Sequence, residues 1–139
     1  MQKREAIIRL WFNMWLRQED LGIMKIFAQD AIYIESWGPC YDGVVQVKHW
    51  FDEWNTRGKV TKWEIKQFFH KNDQTVVEWY FANKMNDGRK EIFDGVSIIK
   101  WTADDKIAYL QEFGCNIDRY NPYAAGDIPT FKNEKANWF

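Results

Sequence analysis

The second half of this 139-residue chain restricts the fold more than anything ahead of it. Between residues 60 and 114 four long runs alternate in side-chain character, and short turn signals separate them. Residues 60–71 set Trp63, Ile65 and Phe69 against Lys62, Glu64 and Lys66, the period-two pattern of a strand with one covered face. Asn72-Asp73 turns into a second run over 74–85. Asn86-Asp87-Gly88 is a hairpin signal that leads into 89–101, and residues 102–105 turn into 106–114. Four such strands make a long antiparallel meander, which needs something apolar to curl around.

The first half supplies it. From about residue 5 to 18, Ile8, Trp11, Phe12 and Trp15 recur at helical spacing, with Arg9, Asn13 and Arg17 on the opposite stripe. Asp20 is placed to cap a short second helix through about residue 28, with Leu21, Met24 and Phe27 facing inward. A third helix over about 44–56 carries Val47, Trp50, Phe51 and Trp54 on one side, and Gly58 is expected to end it in a left-handed conformation. Helices ahead of a run of strands give the α+β class, here a cone-shaped curved antiparallel sheet wrapped around N-terminal helices. The length suits one domain, with a core at about 5–115 and an aromatic C-terminal tail over 116–139 that packs onto a surface through Tyr120, Tyr123, Phe131, Trp138 and Phe139.

Between the second and third helices lies Ala31-Ile32-Tyr33-Ile34-Glu35-Ser36-Trp37-Gly38. Alternation puts Ile32 and Ile34 on one face and Tyr33, Glu35 and Trp37 on the other. A carboxylate between two large rings reads as the wall of a partly apolar pocket. Composition agrees: aromatic residues make up 18% of the chain, nine of them tryptophan, more than one small core needs. Glu35 is then either a general base with its pKa raised by a dry pocket, or a hydrogen-bonded carboxylate that holds the cavity's shape.

These elements and their order resemble the nuclear-transport-factor-2-like superfold, with its SnoaL-like polyketide cyclases and ketosteroid isomerases. The resemblance rests on Phe-Ala-Gln-Asp-Ala-Ile-Tyr-Ile-Glu-Ser-Trp-Gly-Pro at 27–39, on Asp42-Gly43 ahead of the third helix, and on Gly-Val-Ser-Ile-Ile-Lys-Trp at 95–101 followed by Asp-Lys-Ile at 105–107. It implies that Glu35 holds the position of the proton-moving carboxylate of ketosteroid isomerases. Ser97 falls where those enzymes keep a protonated Asp of the oxyanion hole. Their oxyanion tyrosine belongs on the first helix, where this chain has Trp11, Phe12 and Trp15 and no tyrosine. The family register also turns Glu112 inward beside Leu110, where it serves as a second acid or as a partner for a buried indole or Arg119.

The expected catalytic set is therefore Glu35, Glu112 and Ser97. Expected ligand walls are Trp11 and Trp15 from the first helix, Tyr33 and Trp37 from the central strand, and Trp54 from the third helix. Glu78, Tyr80 and Leu110 complete them from the meander. Alternation within Val76-Val77-Glu78-Trp79-Tyr80-Phe81 leaves open which face turns inward. The other is expected to be covered by a second copy, in a homodimer through the outer sheet face. Asp94, His49 and His70 read as structural or solvated.

The ligand expected from these walls is a small apolar or aromatic compound. Net charge is −1 with no basic block, which argues against nucleic acid. Two histidines and two cysteines without ligand spacing argue against a metal, and no phosphate-cradling glycine loop argues for a cofactor. No apolar run approaches the ~20 residues of a membrane span, no signal peptide is visible at the N-terminus, and Cys40 and Cys115 read as free thiols of a cytoplasmic protein.

Overall fold

The computed structural model describes residues 1–132, so Trp138 and Phe139 lie outside the described residues. Helix α1 (Gln2–Arg17) buries Ile8, Trp11, Phe12, Met14 and Trp15. It stops at Gln18, which adopts a left-handed conformation (φ 54°) while its amide side chain donates to the Gly58 carbonyl at 3.2 Å. Helix α2 is a single turn, Ile23–Ile26, shorter than the sequence implies. Asp20 does hold its start, accepting from the Gly22 and Ile23 amides at 2.8 Å each. Its inner face is Ile23 and Ile26, however, and Met24 is exposed, because the chain already turns extended at Phe27.

Strand β1 (Phe27–Ile34) is followed by a tight hairpin to β2 (Cys40–Asp42), then by α3 (Val44–Arg57). Gly58 departs from expectation. It does end α3, its amide donating to the Trp54 carbonyl, but it is extended (φ −167°) rather than left-handed and also opens β3. The position is tight all the same, since a Cβ there would lie 2.5 Å from the Met85 sulfur.

Strands β3 (Gly58–Lys71), β4 (Gln74–Met85), β5 (Lys90–Trp101) and β6 (Ile107–Asn116) form the expected meander. The curved, unclosed sheet runs β2-β1-β6-β5-β4-β3, and β1 joins it parallel to β6, with Tyr33 opposite Leu110. Two bulges interrupt β3, after Val60 and after Ile65. The second swaps the faces: Phe68 packs against the core and Phe69 is 55% exposed, the reverse of simple alternation. No bulge occurs at Asp94-Gly95. Gly95 is required instead by the close approach of β6, whose Phe113 carbonyl occupies the space of a Cβ.

The core is a stack of rings between α1, α3 and the concave sheet face. Phe12 lies flat on Trp63 (centroids 3.9 Å apart), while Trp11 meets Phe27 edge to face (4.9 Å) and Trp15 meets Phe51 likewise (4.8 Å). At the far end, the His70 ring bonds Glu5 of α1 and Thr75 of β4, which ties the helix to the sheet. His49 is exposed. Asp94 points to the outer face and is bound by Arg119 (2.7 Å) and Lys66 (3.5 Å). The tail's Tyr120, Tyr123, Ile128 and Phe131 are exposed on this chain.

Candidate functional site

A cavity of about 290 Å³ opens between α3, the β1–β2 hairpin and the concave face of β3–β6. Glu35, directly after β1, and Glu112, on β6, both line it. Parallel pairing of β1 with β6 brings them together: Tyr33 sits opposite Leu110, so the next inward position on each strand is an acid. Each carboxylate is held by a phenol. Tyr41 donates to Glu35 Oε2 at 2.8 Å, and Tyr33 donates to Glu112 Oε2 at 2.7 Å. Tyr41 owes its position to β2, where it pairs with Tyr33, and its ring stacks on Trp50 at 4.4 Å.

Burial pushes the Glu35 carboxyl up to about 7. Hydrogen bonds from Tyr41 and Trp37 and the charge of Arg57 pull it back down, and the charge of Glu91 pushes it up. Glu112 is pushed higher, to about 8, by burial and then by the charge of Glu35, with the Tyr33 hydrogen bond opposing. Glu35 ionises first, so its charge falls on Glu112 rather than the reverse. Both phenols are raised above the usual tyrosine range, first by burial, and stay protonated donors. At neutral pH the cavity thus favours a protonated acid at Glu112 beside a carboxyl at Glu35 that titrates near neutrality, a pair suited to giving and taking protons.

The sequence matches the SnoaL-like domain profile over residues 8–110, three quarters of the chain. The chain belongs to the SnoaL-like family. Its fold is nuclear-transport-factor-2-like. A protein of that fold and of unknown function from Exiguobacterium sp. 255-15 superposes with a TM-score of 0.66 at 19% identity, over 78% of this chain and 98% of that one. An LEH-like epoxide hydrolase from M. tuberculosis gives 0.72 at 10% identity, over 82% and 84%. A protein assigned as a SnoaL-like polyketide cyclase from Shewanella denitrificans OS-217 gives 0.71 at 8%, over 83% and 92%. At such identities the likeness is one of fold. No curated protein matches the sequence.

In this SnoaL-like domain, Trp15, Trp37 and Trp54 line the cavity with the two acids. Other expected site residues sit elsewhere. Ser97 is fully buried behind the wall and accepts the Trp79 indole N–H at 2.9 Å, because a buried indole needs an acceptor. Trp11, Tyr33 and Leu110 are core residues with no exposure. Trp11 and Tyr33 nevertheless act on the site, since the Trp11 indole donates to the Tyr33 phenol (3.3 Å), which donates to Glu112. Glu78 and Tyr80 fall on the opposite face of β4 from the cavity, where Glu78 accepts from Gln67 at 2.7 Å. Trp79 and Phe81 turn inward in their place.

Sequence reasoning missed Tyr41 and the two arginines at the rim, Arg57 and Arg89. Tyr41 lay between the central strand and the third helix, where no element was expected. Arg57 and Arg89 flank the end of α3 and the β4–β5 hairpin, which adjoin only once the chain has folded.

Proposed function

We propose that this SnoaL-like protein is a cofactor-independent enzyme of isomerase or cyclase type that moves a proton on a small, mostly apolar cyclic compound. One observation carries the reading: two carboxyls share an aromatic cavity, with their pKa values set near neutrality and apart by burial and by each other. Glu35 is the proton carrier. Glu112, protonated at neutral pH and oriented by Tyr33, is the second acid, able to donate to an oxygen as Glu35 takes a proton from carbon. Ser97 supports this arrangement through Trp79 rather than by meeting the ligand. The isomerase, cyclase and hydrolase names among proteins of this fold agree with acid/base chemistry in such a cavity.

A specific observation favours a second reading, a ligand-binding or protein-interaction module of the same fold. The first helix offers tryptophans in place of an oxyanion tyrosine, and the inner phenol is already engaged by Glu112. Deuterium exchange separates the two. Cyclohexanone and 2-cyclopentenone in D₂O are expected to exchange protons next to the carbonyl faster with the protein than in buffer, and Glu35→Gln is expected to slow this by at least ~100-fold. Exchange at the buffer rate, or undiminished exchange in Glu35→Gln, favours the module.

The outer sheet face supports a homodimer. Phe69, Val76, Val96, Ile98 and Phe113 lie together there, across paired strands, with Phe69 and Phe113 exposed. Among the described residues no helix is long and apolar enough to cross a membrane. A cytoplasmic location remains part of the proposal, and the exposed free thiols of Cys40 and Cys115 suit a reducing compartment.

A further inference from the structure

Two features of the cavity make no hydrogen bond to its acids among the described residues. The indole N–H groups of Trp15 and Trp63 are buried and meet no acceptor among the described residues, although both rings line the cavity. A buried donor without a partner is costly, and because both nitrogens are closed off by neighbouring rings, an acceptor brought by a ligand reaches them only as those rings shift. The second feature is the pair of arginines at the rim. Each guanidinium is fixed through Nε to a neighbouring carboxylate, Arg57 to Glu53 at 2.6 Å and Arg89 to Asp87 at 3.0 Å. Among the described residues that leaves the terminal amino groups of both forks to bind something else.

The two arginines are brought together by the backbone. The Asn86 amide donates to the Arg57 carbonyl and the Met85 amide to the Arg89 carbonyl, each at 2.8 Å. Inside, the charge is of the other sign, from Glu91, whose carboxylate is held by Asn83 at 3.2 Å, and from the ionised fraction of Glu35. An anionic group is repelled from the interior and attracted to the rim, while an apolar ring is welcome between the indoles. A cavity of about 290 Å³ amounts to roughly ten water volumes, the scale of one or two fused rings.

We propose that the cavity takes a small flat carboxylic acid, with its ring body against Trp63, Trp79 and Phe93, an acceptor atom or ring face at the Trp15 and Trp63 indoles, and its carboxylate between Arg57 and Arg89. The assignment rests on reading the cavity as a ligand site and adds the charge and the orientation of what enters. It places the neutral part of the ligand at the acids and the anionic part at the mouth.

The test compares 2-naphthoate with its neutral isostere 2-naphthamide at pH 6. Binding is followed by the ¹H–¹⁵N indole resonances, assigned with Trp15→Phe and Trp63→Phe. The acid is expected to bind on the order of tenfold more tightly than the amide, the weight of a charge-assisted contact at a wet rim. Binding should move the Trp15 and Trp63 indole signals. The double variant Arg57→Gln/Arg89→Gln should abolish the preference, bringing acid and amide affinities within about twofold of each other. Equal binding of acid and amide, or a preference that survives the double variant, overturns the anion assignment and leaves the cavity as a ligand site. A preference with both indole signals unmoved overturns the donor assignment. If neither compound perturbs any cavity indole, the ligand-site reading falls with it.

Discussion

Glu35 and Glu112 are alike in chemistry and are made different by position. Glu35 sits at the end of β1 with Tyr41, Trp37 and Arg57 working to keep it ionised, whereas Glu112 has Tyr33 alone against burial and a neighbouring charge. Removing a phenol should therefore raise the pKa of its carboxyl. Tyr41→Phe is expected to move the Glu35 titration upward, and Tyr33→Phe to do the same for Glu112, each by about one unit or less. An unchanged midpoint in either variant would show that the phenol is not a donor in solution. Glu35 was legible from alternation, because period two is enforced by the backbone itself, whereas alternation only paired Glu112 with Leu110 and the family resemblance supplied its inward facing. Ser97 faced inward as expected but was claimed by the Trp79 indole, and this partnership between strands 18 residues apart leaves no local trace.

At the scale of elements, the meander and the helices were written in hydrophobic period and turn residues. Three features were not. The bulge after Ile65 exchanged Phe68 and Phe69, since one extra residue turns the remaining strand over. The parallel joining of β1 to β6, which brings the two acids into one cavity, is a contact across some eighty residues. The inward face of β4 was undecided because both of its faces carry apolar side chains, Val77 and Trp79 on one and Val76 and Tyr80 on the other. Gly95 marks where β6 closes on β5. Gly95→Ala should destabilise the protein by about 1–3 kcal/mol, read as a lower denaturation midpoint at constant slope, because its Cβ meets the Phe113 backbone rather than a side chain that can yield. A neutral substitution there would mean that the β5–β6 contact is looser than described.

For the whole molecule, raised carboxyls make stability depend on pH with a definite sign. Between the ordinary carboxyl range and about pH 8 the folded protein holds protons at Glu35 and Glu112 that the unfolded chain has released. Stability therefore falls as pH rises through this window. Carboxyls held low, such as Asp94, where Arg119 and Lys66 outweigh partial burial, titrate below it. The Tm should be lower at pH 8.5 than at pH 5.5 by roughly 10–20 °C, the equivalent of about 5 kcal/mol, and Glu35→Gln/Glu112→Gln should flatten the difference. The outer face predicts association at the same scale. Sedimentation should give a dimer, and Ile98→Lys, a charge in the middle of that face, a monomer; a wild-type monomer at ~50 μM would remove the proposed interface. The most direct measurement is a carbon-detected NMR titration of the side-chain carboxyls, assigned with Glu35→Gln and Glu112→Gln. Midpoints near 7 for Glu35 and 8 for Glu112 are predicted, with the Glu112 midpoint falling in Glu35→Gln as its neighbour's charge is removed. Two midpoints near the ordinary ~4.3, indifferent to each other's substitution, would contradict the paired acid site.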